Sequence, residues 1–144
     1  MRIAVMGTAC IGKSTFINDF ISNWSMYKIC EKPRYTDLVK EKNIKLNEEG
    51  DELSQMTILN SLIDQTMGRS KNDNVIFDRS VLDNLVYTLW LNSKGKVSDN
   101  FVRDTINIVK ESLVFYDILF FLAISKQSPV KFVSQEYRTT SAEY

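Results

Sequence analysis

Residues 5–15 read Val5-Met6-Gly7-Thr8-Ala9-Cys10-Ile11-Gly12-Lys13-Ser14-Thr15. The chain holds five glycines in 144 residues, and two of them, Gly7 and Gly12, fall within this stretch, the second directly before a lysine and a serine. Upstream, Ile3 to Met6 is a short apolar run with the character of a strand. Downstream, Phe16, Ile17, Phe20 and Ile21 recur at helical spacing, so a helix is expected to begin at Lys13, where the glycine segment stops.

The pattern G-x-x-x-x-G-K-[ST] between a strand and a helix is the P-loop signature. Its chemistry is geometric. Main-chain N–H groups of Gly7, Thr8, Ala9, Cys10, Ile11, Gly12, Lys13, Ser14 and Thr15 are expected to surround a polyphosphate. The positive end of the helix dipole adds to them. Glycine at 7 and 12 permits backbone angles and a close approach that a Cβ would block. Lys13 is expected to reach the β- and γ-phosphates of ATP, and the Ser14 hydroxyl to ligate Mg²⁺. A nucleoside-triphosphate site follows from the motif. Its other half is expected at the end of a second apolar strand, Val75-Ile76-Phe77, where Asp78 would hold the metal shell. The competing reading of Asp78 is a cap on the helix that begins near Val81.

Composition limits the alternatives. Hydrophobic residues make up 44% and charged residues 25%, an ordinary globular balance. Eighteen basic and eighteen acidic side chains cancel, which argues against a role on a nucleic-acid backbone. No apolar run reaches membrane-spanning length, and no signal-peptide cleavage pattern is present, so the expected location is cytoplasmic. Cys10 and Cys30 form no CxxC or metal cluster and read as reduced thiols. The chain has no histidine, which excludes Ser-His-Asp, Cys-His and HExxH chemistry.

Further strands are expected at Tyr27 to Cys30 and, long and apolar, at Tyr116 to Ile124. Amphipathic helices are expected on the stripes Leu53-Met56-Leu59-Leu62-Ile63, Leu82-Leu85-Val86-Leu89-Trp90 and Val102-Ile106-Val109-Leu113. Ser70 to Asn74 is a turn, and Lys40 to Gly50 a loop or short helix. Strands that alternate with helices imply an α/β fold: a three-layer P-loop domain over residues 1–144, its parallel sheet covered by helices on both faces.

Within the P-loop class, hydrolases and switches fit poorly. The residue after Asp78 is Arg79, a cation where a water-activating Glu is usual, and no Asp has Gly three positions later as a GTPase switch requires. A kinase needs cations to grip its acceptor and a lid to exclude water. G-T-A-C-I-G-K-S-T, then C-E-K-P-R, then V-I-F-D-R-S-V-L-D-N-L-V-Y together resemble the P-loop nucleoside and nucleotide kinases. That group includes deoxynucleoside kinases, thymidylate kinases and nicotinamide-riboside-kinase-like domains.

The resemblance covers most of the chain and implies roles. Glu31 would act as general base or acceptor ligand, and Arg79 would hold the acceptor and the transferring phosphate. Arg34 and Asp83 would line the acceptor pocket, and Arg138 would belong to a lid over about 125–144. The expected activity is ATP- and Mg²⁺-dependent phosphoryl transfer to a nucleoside or nucleoside monophosphate. The carboxylate of Glu31 favours a hydroxyl acceptor, which must lose a proton. The alternative is an ATP-binding regulatory or interaction domain with little turnover. The implied partner is a small molecule, neither membrane nor nucleic acid, and a homodimer is a compatible assembly. Such kinases usually continue past the lid with a helix and a fifth strand. Either the chain is a fragment, or its sheet ends on the strand at Asp117 to Ile124.

Overall fold

The computed structural model describes residues 1–30, 41 and 44–125. They group into two compact units. The first comprises residues 1–30, 70–79 and 116–125. The second takes in residues 41, 44–69 and 80–115.

The first unit is a parallel sheet of β1 (Arg2–Met6), β2 (Lys28–Ile29), β3 (Val75–Asp78) and β4 (Ile118–Phe121), with helix α1 (Lys13–Asn23) following β1. The strand order is β2-β3-β1-β4. β1 lies between β3 and β4, with Val5 opposite Asp78 and Met6 opposite Phe121. Parallel strands need crossover connections, and central ones are buried on both faces, so they read as continuous apolar runs. Ile3, Ala4 and Val5 of β1 and Val75, Ile76 and Phe77 of β3 are all buried, as that rule requires.

The core on one sheet face joins Ile3, Val5, Ile76 and Tyr27 to Ile17 of α1. Phe16, Phe20 and Ile21 of the same helix, with Ile118, Phe120 and Leu122, pack around it. Each such side chain, when fully buried, contributes roughly 1.5–3 kcal/mol. The helical spacing at 16, 17, 20 and 21 is therefore the face that fixes α1 to the sheet.

Two strands are shorter than the sequence suggests. β4 covers four residues rather than the expected nine. It pairs only with β1 among the described strands, and β1 leaves the sheet at Gly7. The ladder can continue only to the bond from Leu122 N–H to the Met6 carbonyl, 2.9 Å. At the other end, the Asp117 carboxylate accepts from the Arg2 N–H at 2.7 Å and from its guanidinium at 3.2 Å. β4 alternates in burial, with Leu119 and Phe121 exposed. β2 likewise shrinks to two residues, flanked by ladder bonds from Lys28 N–H to Asn74 and from Cys30 N–H to Ile76.

The second unit contains helices α2 (Glu52–Thr66), α3 (Val81–Ser93) and α4 (Asp99–Ser112). Each starts on a side-chain cap that satisfies an otherwise orphaned N–H. The caps are Asp51 on Ser54 N–H, Ser80 on Leu82 N–H, and Ser98 on Phe101 N–H. The buried stripe of α3 differs from the apolar one expected. Val86 and Leu89 are exposed, and Val81, Asn84, Thr88 and Leu91 face inward. Polar residues are tolerated there because they bond to one another. The Asn84 amide donates to the Gln55 carbonyl at 3.1 Å and to its Oε1 at 3.0 Å, and Thr88 donates to the same Oε1 at 3.4 Å. None of these three residues stood out in the sequence, although polar side chains on the inward face of an amphipathic helix are the signal that would have found them. No described helix is long and apolar enough to cross a membrane.

Candidate nucleotide-binding site

The glycine segment leaves β1 at the carboxyl edge of the sheet and enters α1. Three of its residues have positive φ: Gly7 at 141°, Cys10 at 61° and Gly12 at 96°. A Cβ on Gly7 would lie 2.8 Å from the Leu122 carbonyl oxygen and 3.2 Å from Ile11 Cγ2. Gly7 is thus required by packing as well as by its backbone angle. Gly12 has open space around it and is required by conformation alone.

Gly12 is the N-cap of α1 and so provides no capping side chain. The first intrahelical bond runs from Phe16 N–H to the Gly12 carbonyl at 2.9 Å, and no acidic residue stands in the first turn. A helix that begins in this way presents its leading amides and dipole to an anion, with no resident carboxylate in that turn.

Lys13 is buried, at 7% exposure. Its Nζ donates to the Gly7 carbonyl at 3.0 Å and to the Thr8 carbonyl at 2.8 Å. The ammonium is therefore held within the loop, its desolvation offset by carbonyl oxygens. Ser14 is exposed at the start of the helix.

Asp78 closes β3 beside β1, opposite Val5 and exposed. It is not the helix cap considered above, because Ser80 fills that position. Ser14 and Asp78 are hard oxygen donors, the type that Mg²⁺ takes. Among the described residues no three His, Cys, Asp or Glu side chains form a metal cage. That donor set suits an ion held mainly by phosphate oxygens and water, with one or two protein ligands.

Arg79 follows at φ 89°, its N–H donated to the Val5 carbonyl at 3.0 Å. Asp83 is buried near the start of α3. Its Oδ2 accepts from the Ser80 N–H at 2.8 Å and completes a capping box with that serine. Glu31, Arg34, Arg138 and the lid expected there lie outside the described residues.

A parallel sheet whose first strand runs through a left-handed glycine turn into a lysine-led helix defines a P-loop protein of three-layer α/β architecture. More particularly, the fold is that of the P-loop nucleoside kinases. The chain is similar to solved structures of deoxyadenosine kinase from M. mycoides. One, with dCMP and a flexible dCDP bound, aligns with a TM-score of 0.64 at 21% identity, over 88% of this chain and 66% of that one. A second, with dATP, gives 0.57 at 22% identity over 88% and 67%. A third, with dCTP, gives 0.51 at 24% identity over 88% and 65%. The chain thus spans about two thirds of the length of the kinase chains it matches. No protein-family model matches the sequence, and none of the curated proteins does.

Proposed function

We propose that this chain is a nucleoside kinase that transfers the γ-phosphoryl group of ATP to a hydroxyl of a nucleoside or deoxynucleoside. The observation that carries the reading is the Lys13 ammonium held at 2.8–3.0 Å by the carbonyls of Thr8 and Gly7, at the foot of an uncapped helix N-terminus. It sits in a fold shared with deoxyadenosine kinases. Neighbours bound to deoxynucleotides support a nucleoside-type acceptor over an unrelated small molecule.

In this reading the amides of residues 7–15 hold the triphosphate, and Lys13 exchanges its carbonyl partners for the β- and γ-phosphate oxygens. Mg²⁺, held through Ser14 and Asp78, would neutralise charge on those phosphates. Arg79 grips the transferring group as charge spreads over its oxygens. Glu31 takes the proton that the acceptor hydroxyl releases. In the same reading Arg34 would bind the acceptor and Arg138 would help to keep water from the transferring phosphate.

The test is a mass-spectrometric screen of nucleosides, deoxynucleosides and their monophosphates with ATP and Mg²⁺. One acceptor should yield ADP and a nucleoside 5′-monophosphate in equal amounts. ADP with free phosphate in every tube, or no ADP at all, would sink the proposal. Glu31→Gln sharpens it: a hydroxyl acceptor predicts a loss in kcat of about 10²-fold or more, and a phosphate acceptor a smaller one.

A further inference from the structure

The backbone at Arg79 is unusual, because its φ of 89° is a value that side-chain-bearing residues rarely adopt. Such a conformation persists only where neighbouring bonds over-determine it. Here the bonds are visible on both sides of the Arg79 Cα. The peptide plane before it is held by the Arg79 N–H, which donates to the Val5 carbonyl at 3.0 Å. The plane after it carries the Ser80 N–H, which donates to Asp83 Oδ2 at 2.8 Å. The Ser80 hydroxyl stands 3.4 Å from the same oxygen. Because peptide planes are rigid, the first bond restrains φ and the second restrains ψ.

We infer that Asp83 is a positioning residue for Arg79: its carboxylate fixes the peptide that follows the arginine and so sets the direction in which the guanidinium leaves the strand end. Its consequence for turnover rests on the kinase reading above, and its consequence for the backbone does not. This role differs from the acceptor-pocket role that the family resemblance implies. A ligand to an acceptor draws on the charge of the carboxylate. Positioning through the Ser80 N–H needs only an acceptor oxygen, which asparagine also has. Charge and geometry are therefore separable by substitution.

The experiment compares Asp83→Ala and Asp83→Asn with the wild-type chain by amide hydrogen exchange at Arg79 and Ser80 and by steady-state kinetics with the acceptor found in the screen. In Asp83→Ala, exchange at Ser80 should accelerate, and kcat should fall about tenfold or more while KM for ATP holds. Asp83→Asn should keep the protection at Ser80 and stay within about threefold of wild type in kcat and acceptor KM. Unchanged exchange in the alanine variant overturns the inference. So does an asparagine variant that keeps Ser80 protected yet loses acceptor affinity or turnover. If the alanine variant does not fold, the asparagine variant decides on the same criteria. Absence of acceptor-dependent turnover in the wild-type chain defeats the kinase reading instead, and the exchange data still decide the backbone role.

Discussion

The carbonyl oxygen of Leu122 lies where Gly7 leaves no room for a side chain: a Cβ there would come within 2.8 Å of it. The contact follows from the sheet. Met6 and Phe121 are register partners, so the first residue of the loop and the first residue beyond β4 turn aside next to each other. Gly12 has no such neighbour. Alanine at 12 therefore costs only left-handed strain, about 1–2 kcal/mol. Alanine at 7 adds an overlap with backbone, about 2 kcal/mol further. Urea unfolding of the two variants checks the order, and equal losses would contradict the packing argument.

Lys13 should matter for binding more than for folding. Its ammonium donates to the Gly7 and Thr8 carbonyls, so under the kinase proposal a phosphate need only replace those partners. Lys13→Ala should lower turnover by about 10²-fold or more, as expected for loss of a donor aimed at developing charge. Lys13→Arg should not rescue it, because the planar fork does not fit a space shaped for a compact ammonium. Single-turnover kinetics with saturating ATP measure both. A folded alanine variant within about tenfold of wild type would remove Lys13 from the mechanism.

The sequence made the P-loop half legible because two local signals agree there: glycines at a fixed spacing, and a change from apolar run to helical period at Lys13. Asp78 was legible for a similar reason, since it ends a buried strand. Asp83 was legible only as a member of a family pattern. Its bond to the Ser80 N–H depends on which residue caps α3: the start near Val81 was legible, but the cap is Ser80 and not Asp78. The Gln55–Asn84–Thr88 network was hidden for a different physical reason. Hydrophobic periodicity takes the apolar stripe as the buried one, whereas on α3 hydrogen bonding lets polar residues take that face and leaves Val86 and Leu89 outside. The length of β4 was also out of reach, because it is set by where its partner strand ends and not by its own composition.

At the other end of the β1–β4 pair, stability should depend on pH through Asp117. Hydrogen bonds from the Arg2 side chain and backbone N–H hold this carboxyl below its ordinary value. A carboxyl lowered on folding contributes stability that is complete above its unfolded pKa, near 3.9, and is lost as pH falls through the native value. Asp117→Asn should therefore be less stable than wild type at neutral pH, and the gap should close in strong acid. Urea midpoints across that range test it, and a gap that widened on acidification would reverse the assignment.

A last prediction separates a cap from a charge. The Ser98 hydroxyl accepts from Phe101 N–H at 3.2 Å and donates to Glu52 Oε1 at 2.7 Å, while the Ser98 N–H donates to the same oxygen at 2.8 Å. These bonds hold the Glu52 carboxyl below its ordinary value. Ser98→Ala removes the cap of α4 and should cost about 0.5–2 kcal/mol. Ser98→Asp restores an oxygen for the Phe101 N–H but sets a second carboxylate against Glu52. At pH 7 the aspartate variant should be no more stable than the alanine variant. Below about pH 4, where one carboxyl takes a proton, it should become the more stable of the two. Thermal unfolding at both pH values decides: an aspartate variant as stable as wild type at pH 7 would mean that Glu52 is not held at Ser98 in solution.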